Sequence, residues 1–282
     1  VNTEPTRKSL VVIALESADR EEYVIDLARA LARSDTPELL GVFVENAELL
    51  AHAGSRLARE ILLSGSERVL EQRALERQLR TQATQARAAF EAASVRCGLS
   101  HRFEVTRGNI LAESVKRAGA AEALVVNLAR SVAGRASVTE LVRQLASHRP
   151  PLVLLARQGW LTGRSVAVVI DEHSAANEAT LLAAARVAAQ SGSPITALVP
   201  ATSDIEPEEC RKKVADALGR YGAEASNIIQ LGGSDVAAMV RAARACRARL
   251  LVLPSTSAAL QSEKAIDELL RRFPGALMLV RP

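Results

Sequence analysis

Apolar and polar positions in this chain come in blocks. Runs of five or six apolar, mostly β-branched or leucine residues alternate with longer amphipathic stretches, which predicts strands buried on both faces separated by helices. The clearest block is RSVAVVIDEHSAANEATLLAAARVAAQSGSPITALVP, from Arg164 to Pro200. Val166 to Ile170 predicts a strand that ends at Asp171. A polar turn comes next, then a helix with Leu181, Leu182, Ala185, Val187 and Ala188 on its apolar side, closed by Gly192. After Pro194, Ile195 to Val199 predicts a second strand. Strand, helix and strand with short loops form a right-handed crossover unit of a parallel sheet.

The pattern occurs twice. Leu10 to Leu15 predicts a strand, ESADREEYVIDLARALARS an amphipathic helix, and Leu39 to Val44 the next strand. Later, GNILAESVKRAGAAEALVV (Gly108 to Val126) parallels GSDVAAMVRAARACRARLLVL (Gly233 to Leu253), each a glycine before a helix that leads into a strand. PPLVLLAR (Pro150 to Arg157) parallels GALMLVRP at the end. A repeat of this length predicts two tandem domains, 1–158 and 159–282, with RQGWLTGR around Trp160 and Gly163 as the linker. Only the first half carries an insertion, ENAELLAHAGSRLAREILLSG, and then a long helix from about Ser66 to Cys97. Ser66 is its expected N-cap and Gly98 its stop, with Leu70, Leu75, Leu79, Ala83, Ala86 and Phe90 on one apolar face. Such a helix would run roughly 45 Å. It either covers its own sheet, the reading preferred here, or offers a contact surface to another domain or chain.

Composition narrows the function. The 282 residues are 48% hydrophobic, 24% charged and 2% aromatic, so the chain is globular and its cores are aliphatic. The net charge of +4 is spread along the chain, with no basic block and no interleaved aromatics, which argues against nucleic-acid binding. No apolar run approaches the ~18 residues of a membrane span. The first residues, VNTEPTRK, lack the apolar core of a signal peptide. Cys97, Cys210 and Cys246 are far apart and outside any C-x-x-C spacing, which fits reduced thiols in a cytoplasmic protein. His52, His101, His148 and His173 are scattered, and no metal site is expected.

The strand ending in Asp171, with Ser174 close behind, and the closing segment AIDELLRRFPGALMLVRP (Ala265 to Pro282) together resemble a universal stress protein domain. The resemblance implies an α/β fold of two tandem Rossmann-like (adenine nucleotide alpha hydrolase-like) domains. Each would hold a five-stranded parallel sheet in the order 3-2-1-4-5, with helices on both faces. Ligands of such sheets lie beyond the carboxyl ends of the strands, where the order reverses. The nucleotide-binding candidates implied are Asp171, Val199, Ser255 and Thr256 in the second half and Glu16 in the first.

Nucleotide-binding members of that family carry Gly-x2-Gly-x9-Gly-Ser/Thr after the fourth strand, because glycines let backbone N–H groups close around phosphates. In the second half the loop reads PSTSAALQSEKAIDELL, with no glycine and with Glu263 and Lys264 where the final Gly-Ser/Thr would stand. A solvated serine-rich turn is the simpler reading, although Ser255, Thr256 and Ser257 could bond a small anion. In the first half NLARSVAGRASVTELV retains Gly134 alone, and Ala136 replaces the last glycine. Arg130, Ser131, Arg135 and Ser137 are anion-binding candidates there, beside the plainer reading of solvated arginines. A strand-end aspartate is also a common turn residue.

Three functions fit these residues, in order of preference. The first is a regulatory or interaction module of the non-nucleotide-binding kind, with no cofactor. The second is a sensor for ATP, AMP or another anion in one half. An enzyme comes last, since no phosphate cradle, metal-holding acid or triad is visible. The resemblance also implies pairing through last strands, here Leu152–Ala156 and Ala276–Val280, either between the two halves as a pseudo-dimer or between two chains.

Overall fold

The computed structural model describes residues 9–15, 25, 28–29, 31–32, 36–53, 59–61, 67–69, 71–127, 139, 142–143, 151–156, 163–170, 177–200, 207–220, 222–233 and 235–281. Its strands are β1 (Leu10–Leu15), β2 (Glu38–Asn46), β3 (Arg59–Ile61), β4 (Glu67–Val69), β5 (Ser100–Gly108), β6 (Ala123–Asn127) and β7 (Leu152–Ala156) in the first half. The second half adds β8 (Ser165–Val169), β9 (Ile195–Pro200), β10 (Ala225–Leu231), β11 (Ala248–Pro254) and β12 (Ala276–Val280). The helices are α1 (Ala47–Ala53), α2 (Gln72–Arg96), α3 (Ile110–Ala118), α4 (Asn177–Ser191), α5 (Pro207–Gly219), α6 (Val236–Ala245) and α7 (Glu263–Arg272).

Ten strands form one sheet in the order β10-β9-β8-β11-β12-β7-β6-β1-β2-β5. Within this sheet each half therefore has the order 3-2-1-4-5, with every pair that a half contributes to it parallel. The apolar runs explain why. Val11, Ile13 and Leu15 of β1 join one core, while Val12 and Ala14 join the core on the other face. A strand buried on both faces needs helices on both, and the long crossovers of a parallel sheet supply them. One face carries α2, α4 and α5 together with helical backbone at Ile25, Ala28 and Leu31; the other carries α3, α6 and α7.

The two halves meet at β7 and β12, which pair antiparallel: Leu277 with Leu155, Met278 with Leu154, Leu279 with Val153 and Val280 with Leu152. All ten residues of the two strands are buried. The last strands are thus consumed by each other within one chain. Each large aliphatic side chain buried here contributes roughly 1.5–3 kcal/mol of hydrophobic stabilisation before entropy is counted. The expected boundary between residues 158 and 159 lies outside the described residues. The chain from Gly163 into β8 is fastened to the turn between α6 and β11. The Arg164 N–H donates to the Arg247 carbonyl (2.8 Å), Ser165 Oγ to the Cys246 carbonyl (2.7 Å), and Arg249 Nε to the Gly163 carbonyl (3.1 Å).

The long helix differs from expectation at its start. It begins at Gln72, with Glu71 in the N-cap position and no side-chain cap bond, and spans about 37 Å rather than 45. Ser66 and Leu70 lie outside the described residues. The preceding insertion forms α1 and then a small antiparallel hairpin of β3 and β4, with Arg59 opposite Val69. The hairpin's extended backbone occupies Glu67–Val69, positions that the expected helix would have covered. The far end agrees with expectation: Gly98 takes φ 67°, and the N–H groups of Gly98 and Leu99 close on Val95 and Ser94. Gly192 closes α4 in the same left-handed conformation, φ 59°. Inward residues Ala83, Ala86, Phe90 and Ala93 of α2 enter the core, and Phe90 packs on Phe103 with ring centroids 5.8 Å apart. Leu75 and Leu79 instead cluster with Leu50 and Ala53 of α1.

The outer edges of the sheet are β5 and β10. Along β5 the cross-strand pairs Arg102–Glu38 (2.6 Å) and Arg107–Glu45 (3.1 Å) place charge where an edge would otherwise invite pairing.

Candidate functional site

Strand order reverses between β1 and β6 in the first half and between β8 and β11 in the second. Because the seam is antiparallel while each half is internally parallel, the carboxyl ends of these two pairs point to opposite ends of the sheet. The two candidate sites therefore cannot merge into one pocket. Glu16, Arg130, Ser131, Arg135 and Ser137 lie outside the described residues, as does Asp171.

Val199, Ser255 and Thr256 are described. Val199 is a buried residue near the end of β9, in register with Gln230 of β10. Ser255 comes directly after β11 and is half-buried, and its N–H donates to the carbonyl of Val280 at 2.7 Å. Thr256 is exposed, and its carbonyl accepts from Gln261 Nε2. The turn then folds inward. Ser257 is 1% exposed, its N–H donates to the Pro254 carbonyl (3.0 Å), and its own carbonyl accepts from Leu260 (2.9 Å). Ala258–Leu260 is a single 3₁₀ turn whose Ala259 and Leu260 are buried in the core under α6 and α7. The expectation of a solvated serine turn holds for Thr256 and fails for Ser257, because the apolar pair Ala259 and Leu260 draws the turn onto the core.

Helix α7 starts immediately afterwards. Ser262 Oγ accepts from the Ala265 N–H at 3.2 Å, its carbonyl accepts from Ile266, and Glu263 stands in the first turn. A serine cap with an acid behind it satisfies one of the orphan N–H groups, that of Ala265, and sets a carboxylate against the positive end of the helix dipole. A phosphate cradle needs several inward N–H donors left open at such a point. Here the N–H groups of Ser255, Ser257, Leu260, Gln261 and Ala265 are all taken by partners in the chain. Sequence reasoning placed Glu263 and Lys264 at this position but missed Ser262, whose signal was a serine just ahead of the apolar spacing Ile266, Leu269 and Leu270.

A second polar cluster lies on the opposite edge of the molecule, between β5 and α3. Arg117 Nε donates to Glu104 (3.0 Å) and its Nη1 to Glu113, which also accepts from Thr106 Oγ1 (3.3 Å). The hydrogen bond from Arg117 holds the Glu113 carboxyl below its ordinary value, against the opposing effect of partial burial. Burial acts to lower Arg117, and the two carboxylates outweigh it, so its value is raised. Every member of this cluster has a partner within the chain, so it reads as an edge clamp rather than a reactive site. Among the described residues no group of histidine, cysteine, aspartate or glutamate could hold a metal ion, and no helix is long and apolar enough to cross a membrane.

No family model and no curated protein matches the sequence. Comparison with solved structures is more informative. A universal stress protein from Archaeoglobus fulgidus DSM 4304 superposes with a TM-score of 0.63 over 96% of this chain and 96% of its own, at 12% identity. The fold is that of a universal stress protein. The cytoplasmic domain of a prokaryotic cation chloride cotransporter has the same arrangement, with a TM-score of 0.58, 96% and 94% coverage, and 11% identity. Both span the two halves, so the universal stress protein fold is matched as a tandem pair.

Proposed function

We propose that this chain is a universal stress protein-like regulatory or interaction module of the non-nucleotide-binding kind, acting in the cytoplasm without catalysis. The start of α7 carries the reading. Ser262 and Glu263 occupy the positive end of that helix, and the 3₁₀ turn at Ala258–Leu260 packs apolar side chains where glycines would leave N–H groups open. A triphosphate placed there would meet a carboxylate and occupied donors, which costs free energy on both counts.

Native mass spectrometry of the protein as purified from cells, with subsequent titration by ATP, ADP and AMP, tests this reading. The expected result is an apoprotein that ignores all three. Retained or saturable adenylate would replace the module with a nucleotide sensor, its site then sought around Asp171 or around Arg130 and Arg135.

A further inference from the structure

Helix α2 breaks charge rules that α7 keeps. Acids favour the start of a helix and cations its end. In α7, Glu263 stands in the first turn, while Arg271 and Arg272 end the helix and pair with Asp267 and Glu268. In α2 the first turn has no acid and the N-cap residue Glu71 makes no side-chain cap bond, yet Arg73 sits in that turn. Arg77, Arg80 and Arg87 come after it at spacings of four, three and seven, which align all four on one side of the helix. All four are exposed, on the flank of the face that buries Leu75, Leu79, Ala83, Ala86 and Phe90.

Little inside the described residues answers these charges. From Gln72 to Phe90 the helix has one acid, Glu76, and it accepts a hydrogen bond from Gln72 (3.2 Å). Arg87 lies 4.9 Å above the Phe103 ring and 4.0 Å from Glu91. Arg73, Arg77 and Arg80 have no ion pair among the described residues. Like charges at these spacings and a cation at a helix start each destabilise α2. Arg73 sets the first turn of α2 apart from those of α4 and α7, which carry Glu178 and Glu263, and a local rule broken in this way marks a place selected for something besides stability.

We propose that this arginine row is a docking surface for an acidic helical segment of a partner protein. The inference rests on the interaction-module reading above and names the surface and the chemistry of its partner. Arg73 to Arg87 covers about 21 Å along the axis, a linear array that carboxylates at the same helical spacing can meet through paired guanidinium hydrogen bonds. Beside the row stand Thr81 and Thr84, whose hydroxyls donate back to the carbonyls of Arg77 and Arg80, so the flank is low and polar. A membrane surface would call for apolar anchors next to the cations, and a nucleic acid for stacking rings.

The test is fluorescence anisotropy on the intact protein with a labelled alanine-rich helix of about twenty residues carrying glutamates at spacings of four, three and seven. A matched peptide with glutamine in their place is the control. The glutamate helix is expected to bind, more weakly as salt rises, and the double reversal R73E/R77E to lose at least about tenfold in affinity. The same variant should melt no lower than the parent, because a cation no longer opposes the dipole at position 73 in the first turn. Equal binding of the glutamine helix, or unchanged binding by the double reversal, would overturn the proposal. So would binding to phosphatidylserine vesicles or single-stranded DNA with none to the glutamate helix. Adenylate retention in the mass-spectrometric test would overturn the non-nucleotide reading alone and leave this surface standing.

Discussion

The two halves share one strand order and treat the start of a helix in opposite ways. In the second, α7 begins with Ser262 bonded to its own backbone and Glu263 against the dipole, so its positive end is closed from within. In the first, α2 begins with Glu71 at the N-cap making no side-chain cap bond and with Arg73 in its first turn. Stability in this fold resides in strands buried on both faces. The two helices hold different places in the fold, α2 between the second and third strands that its half gives the sheet and α7 between the fourth and fifth of its own, so their ends are set independently.

The largest expected effect tests whether the seam is what both halves depend on. Strand β12 is paired on both sides, and Leu279 is 2% exposed between Leu253 and Val153. Leu279→Pro removes a ladder donor inside a central strand and should cost at least about 3 kcal/mol. Thermal unfolding monitored by circular dichroism measures it; a melting point near that of the parent would mean the halves stand independently. Gly275→Ala comes next. A Cβ there would meet the Arg249 carbonyl oxygen at 2.7 Å and the Phe273 ring at 2.6 Å, both packed atoms. The expected loss is about 1–3 kcal/mol by urea denaturation, against nearly none for Gly233→Ala, where the space is open.

The cap comparison is smaller and more direct. Ser262→Ala should cost about 1 kcal/mol, and Glu71→Ala no more than ~0.5, since only the former loses a cap bond. Equal losses would erase the contrast between α7 and α2. The smallest effect concerns the edge clamp. A carboxyl held low in the folded state stabilises above its unfolded value, and that contribution disappears as pH falls through the folded one. Arg117→Gln should therefore lower the melting point slightly at neutral pH and flatten its fall in acid, an effect limited by solvent access to Glu104 and Glu113. An unchanged acid branch would show that the clamp contributes nothing.

Much of this architecture was legible in the sequence because it rests on short apolar runs. Val166 to Ile170 and Leu10 to Leu15 could only be strands covered on both faces, and the repeat of Gly108–Val126 in Gly233–Leu253 announced two copies. Helix ends with glycine were legible too, since Gly98 and Gly192 take a backbone conformation that other residues avoid. The insertion was not. Ser66 has the chemistry of a cap, but the residues after it pair with Arg59–Ile61 as a hairpin, a tertiary choice that local preference does not encode. At the site, glycine loss in the loop after β11 was visible residue by residue. The inward fold of Ser257 was not, because it depends on Ala259 and Leu260 finding the core under α6 and α7.

The seam has a further consequence, for stoichiometry. Two separate chains joined through last strands would part on dilution and would have to present every surface twice. Here β7 and β12 belong to one polypeptide and meet at an effective concentration on the order of millimolar or above, whatever the amount of protein in the cell. The pairing is always one to one and always between unlike partners. A substitution in one copy is never imposed on the other. That independence lets a chain keep one helix sealed and arm its counterpart half with a row of arginines.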